Sequence, residues 1–258
     1  MSPMDLLRER VRRYYTTYYR DTLGIPDWAT LVEGREDEEA QERRRLARVR
    51  ELVGDDRLHG RVLNVGCGTG GFTVVAAEAG ARSVGLDADA EAMTICGLKR
   101  GAAAVRFVRA AAEALPFRDG AFDLVHCFSA IEHVDSVIAT VREMVRVVRR
   151  GGAIYLHTPN AWSWYEGHYK LFWVPFLPAP LGRVYLRLRG RPVGYLATLR
   201  RLTPTGVQRA FADAGVPDLV FLDDERPRES AGPLRGPLRL YYQLTGIAPF
   251  IELVAVKP

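Results

Sequence analysis

The sequence predicts an α/β domain built on a doubly wound, mostly parallel sheet, and three observations carry that expectation. From Arg61 onward, short apolar runs alternate with helical patterns, the arrangement of strands covered on both faces. One such run, residues 62–65, breaks into glycines at alternate positions, Gly66, Gly68 and Gly70, ahead of a helical stretch at 72–79. That is strand, glycine turn, helix. Seventeen residues after Gly70 a second apolar run ends in an acid, Asp87.

The elements follow in order. Residues 4–20 place Leu6, Leu7, Val11, Tyr14, Tyr15 and Tyr18 near helical spacing with arginines between them, which predicts an amphipathic helix. Gly24, Pro26 and Asp27 break it, and residues 36–53 form a charged helix with acids first and arginines later, the order the macrodipole favours. Strands are expected at 61–65, 83–87, 105–108, 122–127, 152–157, 218–223 and 249–256, with helices near 71–79, 89–100, 135–149 and 204–214. Thr203 before Pro204 caps the last of these. Residues 223–237 read as a surface loop.

A length of 258 residues suits one α/β domain with an insertion. With 48% hydrophobic and 26% charged residues a sizeable core can form. No run approaches the roughly 20 apolar residues that span a bilayer, and the start lacks an apolar signal core. Cys67, Cys96 and Cys127 are odd in number and lack metal-ligand spacing. A reduced, cytoplasmic protein is expected, and the sequence sets no oligomeric state.

Glycines without Cβ let a ligand lie against backbone beside a helix start, and an acid at the end of the second strand suits a ribose. The stretch V-L-N-V-G-C-G-T-G at 62–70, Asp87, A-E-A-L-P-F-R-D-G-A-F-D-L-V at 112–125 and I-E-H-V at 131–134 together resemble the class I S-adenosylmethionine-dependent methyltransferases. A dinucleotide enzyme would more usually show G-x-G-x-x-G. The resemblance implies a Rossmann-like sheet of seven strands with the last antiparallel, a helical cap at 1–57, a methyltransferase domain at 58–258 and an acceptor-side insertion at 158–201. It implies S-adenosyl-L-methionine as cofactor, held by Asn64, Gly66, Cys67, Gly68, Gly70, Asp87, Ala88, Ala112, Glu113 and Phe128. Two positions depart from the family pattern: Ala111 replaces an acid that would meet the adenine, and Asn64 stands where many members carry an acid.

Methyl transfer is an in-line displacement, and a hydroxyl acceptor must also lose a proton. His133, just past the fourth strand, and His168, in the aromatic W-S-W-Y-E-G-H-Y-K stretch, are the candidate bases; His157 reads as a packed histidine. Trp162, Trp164, Tyr165 and Tyr169 suit either a stacking wall for an acceptor or the core. From 167 to 212 there are eight bases and no acid, which fits a solvated face, an anionic group or peripheral contact with an anionic membrane surface. No base-reading motif accompanies them, so nucleic acid is not expected. No Asp/His constellation is visible, so no metal is expected.

The P-N-A-W and E-G-H-Y-K segments resemble a methyltransferase subgroup of glycan and secondary-metabolite pathways. O-methylation of a sugar, glycolipid precursor or secondary metabolite is therefore expected. Small-molecule N- or C-methylation, or a cofactor-binding protein without activity, are the alternatives.

Overall fold

The computed structural model describes residues 2–36, 38–99, 105–222 and 235–258. Among them the strands are β1 (Arg61–Val65), β2 (Arg82–Asp87), β3 (Arg106–Arg109), β4 (Phe122–Phe128), β5 (Val148–Pro159), β6 (Tyr165–Glu166), β7 (Leu171–Phe172), β8 (Leu219–Phe221) and β9 (Phe250–Val256). β6 and β7 make a separate hairpin, and the other seven form one sheet in the order β3-β2-β1-β4-β5-β9-β8. β1 to β5 run parallel, while β9 is antiparallel to both neighbours. This is the expected seven-stranded, doubly wound sheet with its last strand reversed. The strand order turns at β1, which has β2 on one side and β4 on the other, so a crevice opens outside their carboxyl ends.

The helices are α1 (Pro3–Thr16), α2 (Trp28–Glu36), α3 (Glu38–Val53), α4 (Asp55–Leu58), α5 (Gly71–Glu78), α6 (Ala90–Leu98), α7 (Val137–Val147), α8 (Ala179–Leu188), α9 (Pro204–Asp213) and α10 (Arg235–Thr245). α1 is launched by a capping box in which Ser2 and Asp5 satisfy each other's backbone N–H groups, and it runs on as a π-helical turn over Thr17–Thr22. Thr203 caps α9 as expected, its hydroxyl accepting from the Gly206 N–H. β5 is longer than the sequence suggests, because Val148 enters it directly from α7. Most of the expected loop at 223–237 lies outside the described residues, and from Arg235 the chain is helical.

Strand alternation sorts the core into two layers. Leu63, Val65, Val125, Cys127, Ile154 and Leu156 face α7 and α9, meeting Val141, Met144 and Phe211. Val62, Leu124 and Tyr155 face the other way, onto Leu46, Val49 and Val53 of α3 and Phe72 of α5. A third cluster joins the start of the chain to the segment after β5: Val11, Tyr15, Tyr19 and Leu23 pack with Tyr169, Trp173 and Leu186. Tyr169 is fully buried there, so that aromatic is core. Among the described residues no helix is long and apolar enough to cross a membrane.

Candidate active site

A cavity of about 600 Å³ opens outside the carboxyl ends of β1, β2 and β4, within the range of sites that enclose small ligands. Gly66 and Gly68 form part of its floor, Tyr14, Tyr15 and Tyr18 of the α1 segment lie over it, and Tyr195 and Thr198 close one side. A smaller pocket of about 50 Å³ is lined by Glu132, Glu166 and His168.

The floor depends on glycine for two physical reasons. Gly66, Gly68 and Gly70 have φ of +68°, +52° and +86°, a region that costs other residues roughly 1–2 kcal/mol each. A Cβ on Gly66 would also stand 2.2 Å from the Ala130 Cβ, and one on Gly70 2.8 Å from the Phe107 ring. The turn is tied to β2 by the Gly66 and Cys67 N–H groups, which both donate to the Leu86 carbonyl at 2.8 and 2.9 Å. Asp87 holds the same turn: Oδ2 accepts from the Gly68 N–H at 2.8 Å and Oδ1 from the Asp89 N–H at 3.0 Å. An ionised carboxylate has about four acceptor positions, so two remain for a ligand.

Of the residues expected around a cofactor, Gly66, Gly68, Asp87, Ala88, Ala112 and Glu113 line the cavity. Glu113 also accepts from the Asp135 and Ser136 N–H groups at 2.6 and 3.3 Å, securing the approach to α7. Asn64, Cys67, Gly70 and Phe128 are not among the lining residues. Val65 and Cys127 are, and because side chains alternate along a strand, Asn64 and Phe128 take the opposite face. There Asn64 is consumed by the Thr73 hydroxyl at 3.1 Å and His126 Nδ1 at 2.9 Å. Phe128 stacks on His157 and lies 3.5 Å beneath the Arg45 guanidinium. Cys67 packs with Val74, Cys96 and Phe107 behind the turn.

The two candidate bases, 35 residues apart in the chain, come together. The rings of His133 and His168 lie 5.1 Å apart, centre to centre. Glu132 Oε1 is 3.9 Å from His133 Nε2 and 3.5 Å from His168 Nε2, while its Oε2 accepts from the Thr158 hydroxyl at 2.9 Å. Glu166 Oε1 lies 2.8 Å from His168 Nδ1, and its Oε2 accepts from the Tyr169 N–H at 2.6 Å. Burial works to lower the His168 pKa, but the two carboxylates outweigh it and raise it to about 9. Burial lowers that of His133, and the neighbouring His168 adds to the shift against the pull of Glu132. His133 lines the main cavity and His168 the smaller one. His157 is packed between the Phe128 and Phe250 rings, away from both.

The sequence places Tyr14, Tyr15 and Tyr18 on an amphipathic helix of the cap, and it carries no sign of Tyr195. Its hydroxyl is 2.9 Å from the Tyr18 hydroxyl and 3.4 Å from His133 Nε2. Tyr15 reaches the glycine turn directly, its hydroxyl 3.0 Å from that of Thr69. Thr69 in turn donates to Glu38, which is paired with Lys99 at 2.5 Å. The basic stretch is partly structural: Arg191, Arg200 and Arg201 donate to the Gly24, Val134 and Leu177 carbonyls.

Comparison with known proteins matches residues 63–156 to a methyltransferase domain family. A ubiquinone biosynthesis O-methyltransferase of Cupriavidus pinatubonensis is 30% identical over 188 residues, covering 72% of this chain and 68% of its own length. One from Ralstonia nicotianae is 37% identical over 101 residues, 38% of this chain and 42% of its own length. The chain thus spans less than half of the Ralstonia relative. Among solved structures, a methyltransferase in complex with the Haloferax volcanii Trm112 activator superposes with a TM-score of 0.58 at 19% identity, covering 88% of this chain and 93% of that one. A Haemonchus contortus phosphoethanolamine N-methyltransferase bound to S-adenosylhomocysteine superposes at 0.53 with 18% identity, covering 77% of this chain and 49% of that one. With a glycine floor, a carboxylate at the end of β2 and a sheet of this order already in place, the chain belongs to the class I S-adenosylmethionine-dependent methyltransferases, and S-adenosyl-L-methionine is its cofactor.

Proposed function

We propose that the protein methylates a hydroxyl of a small acceptor, and that His133 takes the hydroxyl proton. The observation that carries this reading is the position of His133 in the lining of the cavity that Gly66 and Gly68 also line, with its Nε2 3.4 Å from the Tyr195 hydroxyl. The cofactor supplies an electrophilic methyl group on sulfur. Gly66 and Gly68 give it bare backbone to lie against, and the two open acceptor positions of Asp87 meet vicinal ribose hydroxyls. Tyr14, Tyr15 and Tyr18 cover it and exclude water. The Tyr18–Tyr195 hydroxyl pair fixes the wall against which the acceptor rests.

Burial keeps the His133 imidazole in its neutral form, with a lone pair to offer. A positioned base of this kind contributes about 10²–10⁴-fold. His168, held between Glu132 and Glu166, orients that corner rather than meeting the acceptor. The segment 158–201 supplies Tyr195 and Thr198, so acceptor choice resides there.

The acceptor class is a hydroxyl of a sugar, glycolipid precursor or secondary metabolite. The relatives named as ubiquinone biosynthesis O-methyltransferases favour a second class, a phenolic hydroxyl. Incubation with methyl-labelled cofactor and a panel of phenols and saccharides, with the methylated atom located by mass spectrometry and NMR, tests both. Label on oxygen, lost at least about 100-fold in His133→Ala with cofactor affinity retained, is expected. Label on nitrogen or carbon, or full turnover in the variant, overturns the assignment.

The exposed face of α8 supports peripheral contact with an anionic membrane surface. It carries Leu181, Val184 and Leu188 with Arg183 and Arg187, and Phe176 is exposed just ahead of it.

A further inference from the structure

Glu132 is 2% exposed, and its Oε1 is buried with no hydrogen-bond partner. A buried carboxylate oxygen left this way is costly, and it stands 3.9 Å from His133 Nε2 and 3.5 Å from His168 Nε2. These three ligand atoms lie within 4.8 Å of one another. The 3.5 and 3.9 Å separations from Oε1 are too long for hydrogen bonds. Two ligands each about 2.1 Å from one centre stand about 3.0 Å apart at a right angle and about 3.4 Å at the tetrahedral angle, so the 3.5 Å separation is close to that of donors around a shared ion and the 3.9 Å one would have to close by about 0.5 Å.

We propose that Glu132 Oε1, His133 Nε2 and His168 Nε2 bind one divalent transition-metal ion, its remaining positions open to the cavity through His133.

The surroundings are built for this. Metal-bound histidines characteristically hold their other ring nitrogen to a carboxylate, and metal-bound carboxylates are themselves hydrogen-bonded. Glu166 Oε1 is 2.8 Å from His168 Nδ1 and is itself fixed by the Tyr169 N–H. The second oxygen of Glu132 is fixed by Thr158. The donors come from two separate pieces of the fold, the short 3₁₀ turn Ile131–His133 after β4 and the β6–β7 hairpin, which accounts for the lack of a linear motif. Two imidazoles and one carboxylate select ions such as Zn²⁺, Co²⁺, Mn²⁺ or Fe²⁺ over Mg²⁺ and Ca²⁺. His133 Nε2 has one lone pair, so the metal-loaded and metal-free forms would differ in its use: free, it is the base proposed above, and in the loaded form Glu132, His133 and His168 would hold an ion able to supply Lewis-acid chemistry at the acceptor oxygen. That use of the ion rests on the O-methylation reading, whereas its binding does not.

The test therefore uses no acceptor. The full chain is stripped with chelator, dialysed and titrated with Zn²⁺ by calorimetry and with Co²⁺ by visible absorbance. One ion per chain is expected, with affinity reduced at least about 100-fold in Glu132→Gln and His168→Ala and about 10–100-fold in Glu166→Gln. Circular dichroism of the metal-free variants confirms folding. If a buried-site variant unfolds, His133→Gln replaces it, since that side chain is 33% exposed and tolerates exchange. Absence of saturable binding to the wild type, or affinity unchanged in the folded variants, overturns the site. Because labelled methyl transfer is scored separately, an ion bound without turnover rejects the acceptor reading alone, and turnover with no ion bound rejects the metal site alone.

Discussion

On the proposed reading Asp87 carries two duties, at the turn and at the cofactor ribose, whose separation is measurable. Its oxygens already accept the Gly68 and Asp89 N–H groups at 2.8 and 3.0 Å, leaving about two acceptor positions for the cofactor. Hydrogen bonds to a charged group contribute about 1.5–3 kcal/mol each, so losing two costs about 3–6 kcal/mol. At 1.4 kcal/mol per decade this is a 10²–10⁴-fold rise in the Kd of S-adenosylmethionine for Asp87→Ala. Asp87→Asn keeps one oxygen but turns an amide N–H₂ toward a backbone donor, so an intermediate loss of about 10–100-fold is expected. Calorimetric titration with the cofactor and its demethylated product gives the affinities, and thermal unfolding without ligand gives the share that belongs to the turn. Affinities within twofold of wild type in both variants, accompanied by a lowered Tm, would show that Asp87 serves the turn alone and refute its role at the ribose.

Gly66→Ala combines a φ of +68° with a 2.2 Å approach to the Ala130 Cβ. Left-handed strain and overpacking together cost about 2–5 kcal/mol, so a Tm lowered by about 5–15 °C is expected by calorimetry. Burial works to raise the Glu38 pKa, but the Lys99 ammonium outweighs it, helped by Thr69 and Arg35, and holds it below its ordinary 4.5. The stability this contributes is present above pH 4.5 and is lost as pH falls through the lower folded value, which a series of unfolding curves from pH 6 to 3 should show. Lys99→Met, which strands the buried carboxylate, should destabilise the protein by about 3–5 kcal/mol at pH 7 in denaturant titration. Exchanging Arg183 and Arg187 for glutamate should abolish sedimentation with anionic vesicles, each arginine contributing about 1 kcal/mol near such a surface, and leave neutral vesicles unaffected.

The sheet was legible in the sequence because its signals are local. Glycines break residues 62–65 from the helix that follows, and each β-strand is a short apolar run. The direction of side chains near the end of a strand was less legible. Asn64 and Phe128 sit beside the crevice in sequence, yet one-residue alternation sends them to the α3 face, while Val65 and Cys127 line the cavity. The Glu132–His133–His168 corner had half a signal. His133 and His168 each read as candidates from their neighbourhoods, but the hairpin that brings them together comprises two-residue strands too short to register a period. Spacing along the chain does not reveal a constellation closed by a hairpin, so the three side chains do not read as one group. Tyr195, in a four-residue 3₁₀ turn, carried no pattern at all.

The cluster in which Val11, Tyr15 and Tyr19 pack with Tyr169, Trp173 and Leu186 has a consequence for how specificity is inherited. The first helical segment, proposed to cover the cofactor, and the segment after β5, proposed to face the acceptor, share one hydrophobic seam, stitched at the rim by Tyr18 and Tyr195. A change in the side chains of one therefore alters the packing surface of the other. A segment 158–201 transplanted from a relative would bring its substrate preference along only if the matching first helix travelled with it.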